Sequence, residues 1–170
     1  MDSAARALAE ALFQAIRAEG DGYHFYLMAA RSMEDEQGRE VFEMLAREEL
    51  DHQRFLRTQY RSILETGKPD GQARLGPRGD LSGESPIFSP AIKGRIKEAH
   101  FEMSALSIGI QLEQGAMEFY KRAAEQSADP TVKGLFEELA EWERGHYGAL
   151  LQQQSLLKRD YWSAGGFSPF

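Results

Sequence analysis

The strongest constraint on this chain is a gapless internal repeat. Glu19 returns as Glu113, 94 positions on; Phe25-Tyr26 returns as Phe119-Tyr120, Ala29-Ala30 as Ala123-Ala124, and Asp35 as Asp129. The match continues through Phe42-Glu43 with Phe136-Glu137 and Leu45-Ala46 with Leu139-Ala140, and closes with Glu49 and His52 against Glu143 and His146. Self-similarity at one offset marks a duplicated structural unit. Within each copy apolar residues recur three and four apart, the spacing of one helical face. The stripes are Leu8, Leu12, Ala15, Glu19, Tyr26 and Ala30; Phe42, Leu45, Glu49, His52, Leu56 and Ile63; Leu106, Ile110, Glu113, Met117, Tyr120 and Ala124; and Phe136, Leu139, Glu143, His146, Leu150 and Leu157. The predicted helices cover about residues 4–33, 39–64, 101–126 and 130–158. Glu36-Gln37-Gly38 reads as a short break that turns the first two antiparallel. Asp129-Pro130 reads as a cap followed by a proline at the first helical position. The fold class is therefore all-α, a four-helix bundle made of two like hairpins.

Residues 67–100 interrupt the pattern. Gly67, Pro69, Gly71, Gly76, Pro77, Gly79, Gly83, Pro86 and Pro90 break any helical or strand period, so this stretch is a long crossover between helices 2 and 3. A short helical piece is expected from about residue 91 to 100, and Ile87-Phe88 should pack down on something. Residues 1–160 then form one bundle domain, and 161–170, with Tyr161, Trp162, Phe167 and Phe170, form an aromatic tail that is not helical. These features suggest a homodimer, with an exchanged hairpin conceivable.

The chemistry lies in which polar residues recur. Glu19, Glu49-x-x-His52, Glu113 and Glu143-x-x-His146 all interrupt apolar stripes, aiming four carboxylates and two imidazoles at one core. A buried, unpaired carboxylate is so unfavourable that it must be neutralised. Two divalent cations match the charge of four glutamates. Residues at i and i+3 share a helical face, so one turn can offer a metal both an oxygen and a nitrogen. One glutamate from each of two helices plus Glu-x-x-His from each of the other two is the ligand set of dinuclear carboxylate bundles. Oxygen and imidazole donors suit iron or manganese, with zinc possible in a purified sample. Tyr26 and Tyr120 follow Glu19 and Glu113 by two turns on the same face, where a phenol can donate to a carboxylate ligand or act in redox chemistry. His24 and His100 are not repeated and should face solvent or a loop. Glu48, Asp51, Glu118, Glu137, Glu138 and Glu141 read as solvated surface, and Trp142 as an interface residue.

These residues, with the runs Phe42-Glu43-Met44-Leu45-Ala46-Arg47-Glu48-Glu49-Leu50-Asp51-His52 and Leu135-Phe136-Glu137-Glu138-Leu139-Ala140-Glu141-Trp142-Glu143-Arg144-Gly145-His146, resemble the rubrerythrin branch of the ferritin-like superfamily. The resemblance implies a ferritin-like bundle with two Fe ions. Glu49 and Glu143 would bridge them, Glu19 and Glu113 would be terminal carboxylates, and His52 and His146 would each hold one metal. It implies an oxidoreductase that reduces hydrogen peroxide or dioxygen by two electrons. The alternatives are ferritin-like iron oxidation and storage, or a site that is structural only. Two departures stand out. The family's additional glutamate one turn after the third-helix ligand is replaced by Ala116, whose repeat mate is Gly22. The chain also has no cysteine, so it builds no rubredoxin-type iron site, disulfide or thiolate zinc site, and electrons should come from a separate electron-transfer protein. The small residues Gly22, Gly115 and Ala116 should leave room for the oxidant.

With 42% apolar residues the composition is that of a globular protein, and a formal charge of −7 argues against a nucleic-acid partner. Neither a signal-like apolar segment nor a run long enough to cross a bilayer is present, so no membrane partner is expected and the cytoplasm is the expected location.

Overall fold

The computed structural model describes residues 3–77, 79 and 86–165. Four long helices run α1 Ser3–Ser32, α2 Glu36–Thr66, α3 His100–Gln126 and α4 Pro130–Ala164. A short 3-10 segment, Pro90–Arg95, lies in the crossover, where the sequence placed a helical piece. The described residues contain no strand, and the fold class is the all-α bundle expected. No helix among them is long and apolar enough to cross a membrane.

The helix starts repeat as the sequence does. Asp35 caps α2 by accepting the Gly38 N–H at 2.9 Å, and Asp129 caps α4 by accepting from Thr131 at 2.7 Å and Val132 at 3.3 Å. A side-chain oxygen at this position satisfies an amide that the first helical turn leaves orphaned. The first break therefore falls at residues 33–35 rather than at Glu36-Gln37-Gly38, and Gly38 lies inside α2. Its glycine serves packing, because a Cβ there would stand 2.5 Å from Phe88 Cδ1. Among the described residues only Gly67 has a positive φ, 75°, and it ends α2 with its N–H donated to Ile63 O at 3.0 Å.

Each helix carries apolar residues at both ends of its buried stripe and polar ones between, so the bundle has two cores with a polar layer in the middle. One core gathers Tyr26, Phe42, Leu45, Leu106 and Leu150. The other gathers Leu12, Leu56, Tyr120, Phe136 and Leu139. Ile87 and Phe88 are 3% and 2% exposed and belong to the first core. Ile87 N–H also donates to the buried Gln153 Oε1 at 2.7 Å, and Ser89 N–H donates to Asp35 Oδ1 at 3.1 Å. The crossover is thus pinned to its own bundle, and these two residues lend no support to a dimer interface.

At the far end the structure corrects the tail. The fourth helix does not stop near Lys158 but continues to Ala164, so the proposed boundary between 160 and 161 falls within a helix. Tyr161 and Trp162 are helical, exposed at 38% and 42%, and packed edge to face on each other at 5.5 Å. Nothing between Lys158 and Ala164 is a strong breaker; aromatic residues cost a helix only a fraction of a kcal/mol, roughly 0.5 each. Phe167 and Phe170 lie outside the described residues.

Candidate metal centre

All six repeated polar residues lie in the middle layer and are buried: Glu19, Glu49, His52, Glu113, Glu143 and His146 are each at most 5% exposed. Every one comes from the stripe position that the repeat singled out, and the four helices bring them together within one chain. Glu143 sits between the two imidazoles, with Oε1 3.1 Å from His52 Nδ1 and Oε2 3.4 Å from His146 Nδ1. Glu19 Oε2 lies 3.2 Å from His52 Nδ1. Glu113 Oε2 and Glu49 Oε1 lie 3.6 and 3.7 Å from His146 Nδ1. The two imidazole rings are nearly parallel, 17° apart, with centroids 6.0 Å apart.

Donor atoms converge in two overlapping groups. Glu49, Glu113, Glu143 and His146 each offer one atom within 4.8 Å of the others, and so do Glu19, Glu49 and His52. Glu49 belongs to both. Several of these atoms are buried without a hydrogen-bond partner: Glu49 Oε1, both Glu143 oxygens, His146 Nδ1 and His52 Nε2. Buried polar atoms almost always find partners, and an unpartnered set of carboxylate oxygens facing an imidazole nitrogen is a donor set for a cation. The residues present therefore fit a pair of metal ions.

The electrostatics follow from burial and crowding. Burial raises the Glu49 carboxyl well above its usual range, and Glu19, Glu143 and Glu113 push it further. Burial also raises Glu113, to about 8, with His146 opposing and Glu143 adding. Burial would raise Glu143 too, but the two imidazoles outweigh it and hold this carboxyl well below the usual range. Burial would lower His52; the Glu143 and Glu19 carboxylates reverse this and bring it to about 10. His146 is likewise raised well above the ordinary imidazole value, against its own burial, by Glu113, Glu143 and Glu48. Without metal, protonated imidazoles carry part of the neutralising charge.

The tyrosines cross between halves. Tyr26 of α1 donates its hydroxyl to Glu113 of α3, and Tyr120 of α3 donates to Glu19 of α1. Both phenols are fully buried, and burial followed by the neighbouring carboxylates raises them well above the usual value, so they remain protonated donors. Gly109 permits the first crossing, since a Cβ there would stand 3.2 Å from the Tyr26 oxygen and 3.1 Å from Leu150 Cδ1.

Several surroundings differ from expectation. His24 and His100 are exposed, as expected, and so are Glu118, Glu137, Glu138 and Glu141, while Asp51 is half exposed. Glu48 is not a solvated acid: it is 5% exposed, and its Oε2 lies 2.6 Å from His146 Nε2. Sequence reasoning missed it because its repeat mate is Trp142, so the pattern that exposed the other six was silent here. The available signal was its position beside Glu49, three residues after Leu45. Trp142 packs edge-on against His52 at 4.9 Å, which ties it to the cluster. Gly115 is exposed and points into open space, away from the cluster. Gly22 does adjoin it, because a Cβ there would stand 3.0 Å from Glu49 Oε2. Ala116 is half-buried in the second core.

The sequence matches the Rubrerythrin family profile over residues 10–154. Among solved structures, a hypothetical protein from Pyrococcus furiosus is similar, with 29% identity, a TM-score of 0.58, and coverage of 89% of this chain and 90% of that one. No curated protein matches. The profile reaches into all four helices and includes all six clustered residues, and the buried Glu/His layer is compatible with the metal binding that the family implies: this chain belongs to the rubrerythrin family.

Proposed function

We propose that the chain is a dinuclear non-haem iron oxidoreductase that reduces hydrogen peroxide, or dioxygen, with electrons delivered by a separate donor protein. The observation that supports this best is the convergence of four carboxylates and two imidazoles in a buried layer between two apolar cores, with several donor atoms that have no hydrogen-bond partner. Glu19, Glu49, His52, Glu113, Glu143 and His146 would hold the pair, with Glu49 and Glu143 as the shared carboxylates, Glu19 and Glu113 as the terminal ones, and His52 and His146 each on one metal. When bound, a ferrous pair supplies two electrons and Lewis acidity to an O–O bond.

The chain's own residues prepare that chemistry. Tyr26 and Tyr120 fix the orientation of Glu113 and Glu19 by hydrogen bonds from the opposite half, as outer-shell donors do for ligating carboxylates. The apolar cores above and below keep bulk water from the layer and strengthen every electrostatic contact within it. Gly22 leaves the Glu49 carboxylate space on the α1 side. The absence of cysteine leaves no thiolate iron centre in the chain to feed electrons inward, so an external carrier does so.

The test is anaerobic loading with ferrous iron followed by peroxide, tracking iron content and peroxide consumed. Two irons per chain and repeated peroxide consumption at constant iron content, given a supplied reductant, are the expected result. Retention of many irons per chain would replace this reading with storage. Two metals that stabilise the fold but consume no peroxide would leave a structural site.

A further inference from the structure

The two histidines share one environment on the side facing the cluster and have different ones behind it. His146 presents Nδ1 to Glu49, Glu113 and Glu143, and its Nε2 lies 2.6 Å from Glu48 Oε2. His52 presents Nδ1 to Glu19 and Glu143, but its Nε2 is buried without a hydrogen-bond partner, and the Trp142 ring packs edge-on against the imidazole. Glu48 and Trp142 occupy the same position in the two copies of the repeat. The fold has thus placed a carboxylate behind one metal-facing imidazole and an indole beside the other.

Glu48 is itself held. Its second oxygen, Oε1, accepts the backbone N–H of Gly79, from the crossover. A side chain at Gly79 would not fit, since a Cβ there would stand 2.6 Å from that oxygen. Each Glu48 oxygen therefore has one assigned donor from a different element: the part-buried Gly79 amide of the crossover on one side and the buried His146 imidazole of α4 on the other.

Building on the dinuclear reading above, we propose that Glu48 is a positioning residue that fixes His146 as the tautomer with its proton on Nε2 and its Nδ1 lone pair toward the metal pair, making the His146 position the tighter of two inequivalent metal positions. A neutral imidazole has one donor and one acceptor nitrogen, and the partner of one decides the role of the other. A carboxylate behind a ligating imidazole also raises its basicity, and loss of such a partner typically weakens metal binding by about 10–100-fold. His52 has no such acceptor on Nε2, so its ring orientation rests on packing against Trp142.

The test uses the full metal-free chain titrated with Co²⁺, read by calorimetry and by the visible absorption of the bound ion. The wild-type chain should bind two ions in two resolved steps. Glu48→Gln keeps the side-chain volume but has one acceptor oxygen for two donors, so it should weaken the tighter step by about 10–100-fold and leave the other unchanged. Independently, nitrogen-15 NMR of the Zn²⁺-loaded wild-type chain should show the His146 Nε2 proton hydrogen-bonded and slow to exchange, unlike that of His52. Two wild-type steps of equal affinity, an E48Q titration identical to wild type, or a His146 Nε2 without a proton would each overturn the proposal. The NMR result stands even if E48Q fails to fold. A wild-type chain that binds no metal pair would instead refute the dinuclear reading itself.

Discussion

The α1–α2 hairpin and the α3–α4 hairpin agree where they touch the cluster and disagree one layer out. Glu19 and Glu113, Glu49 and Glu143, His52 and His146, and Tyr26 and Tyr120 are identical pairs, and the two phenols even exchange partners across the bundle. Glu48 against Trp142 and Gly22 against Ala116 are the unlike pairs. The like pairs are those whose charge must balance in a dry core, where no change on one side is tolerated without a change on the other. Of the unlike pairs, Glu48 against Trp142 adds a carboxylate behind one imidazole only, and so can differentiate two otherwise equivalent halves.

The comparison breaks most severely if one of the shared carboxylates is removed. Glu143 faces both imidazoles, so Glu143→Ala should abolish coupled binding of two metals, an effect larger than the roughly 100-fold loss that follows from removing a mere supporting residue. Glu49→Ala should do the same from the other half. Competition with a metal-sensitive chelator measures it. Two metals still bound at near wild-type affinity in either variant would show that the bridges are assigned to the wrong residues.

Next in size is the response to pH. In the metal-free chain, His52 at about 10 lies above its ordinary 6.5, so its stabilising contribution is complete below 6.5 and is lost as pH rises through 10. Glu113 at about 8, against an ordinary 4.5, has the same sign: its contribution is complete below 4.5 and is lost through 8. Glu143 and Glu48 are held low and act oppositely, stabilising above the ordinary carboxylate value of 4.5 and losing effect as pH falls through their lowered values. The urea midpoint of the metal-free chain should therefore fall steadily from pH 6.5 to 10. The zinc-loaded chain should fall much less over the same range, because the cations take over the charge that protons carried. Parallel curves for the two forms would contradict a cluster neutralised by exchange of protons for metal.

The crossed phenols offer a smaller and symmetric test. Tyr26→Phe and Tyr120→Phe each remove a donor from a buried carboxylate and should each cost about 1–3 kcal/mol of stability in urea unfolding of the metal-free chain. The two costs should be similar, since both contacts bridge α1 and α3. A loss confined to one variant would mean that the halves differ in the inner layer as well.

Most of this was legible in the sequence because the repeat acts as an internal alignment. It marked six residues and two tyrosines as special, and periodicity placed them on buried faces. What escaped lay outside the repeat or depended on contacts between distant segments. Glu48 reads as one acid among several until the crossover brings the Gly79 amide to it and α4 brings His146. Gly38 reads as a break until Phe88, fifty residues on, is found to need its missing side chain. The end of α4 escaped for a local reason: Gly165 stops the helix, while the aromatic residues before it are merely weak helix formers.

The finest distinction between the halves is Gly22 against Ala116, one turn after the equivalent glutamates. Gly22→Ala gains about 1 kcal/mol from helix propensity, but its new Cβ would stand 3.0 Å from Glu49 Oε2 and must displace it. Net stability of the metal-free chain should change by less than about 1 kcal/mol, the two effects opposing each other. Metal affinity should fall by up to about 10-fold, because a displaced outer contact perturbs a ligating carboxylate. Ala116→Gly, in the half that already carries the methyl group, should lose about 1 kcal/mol of stability and leave metal affinity unchanged. Unfolding in urea and chelator competition on the same samples separate the two effects. Equal metal affinity in wild type and G22A would mean that Glu49 has room to move on the α1 side, and that the glycine reflects helix packing alone.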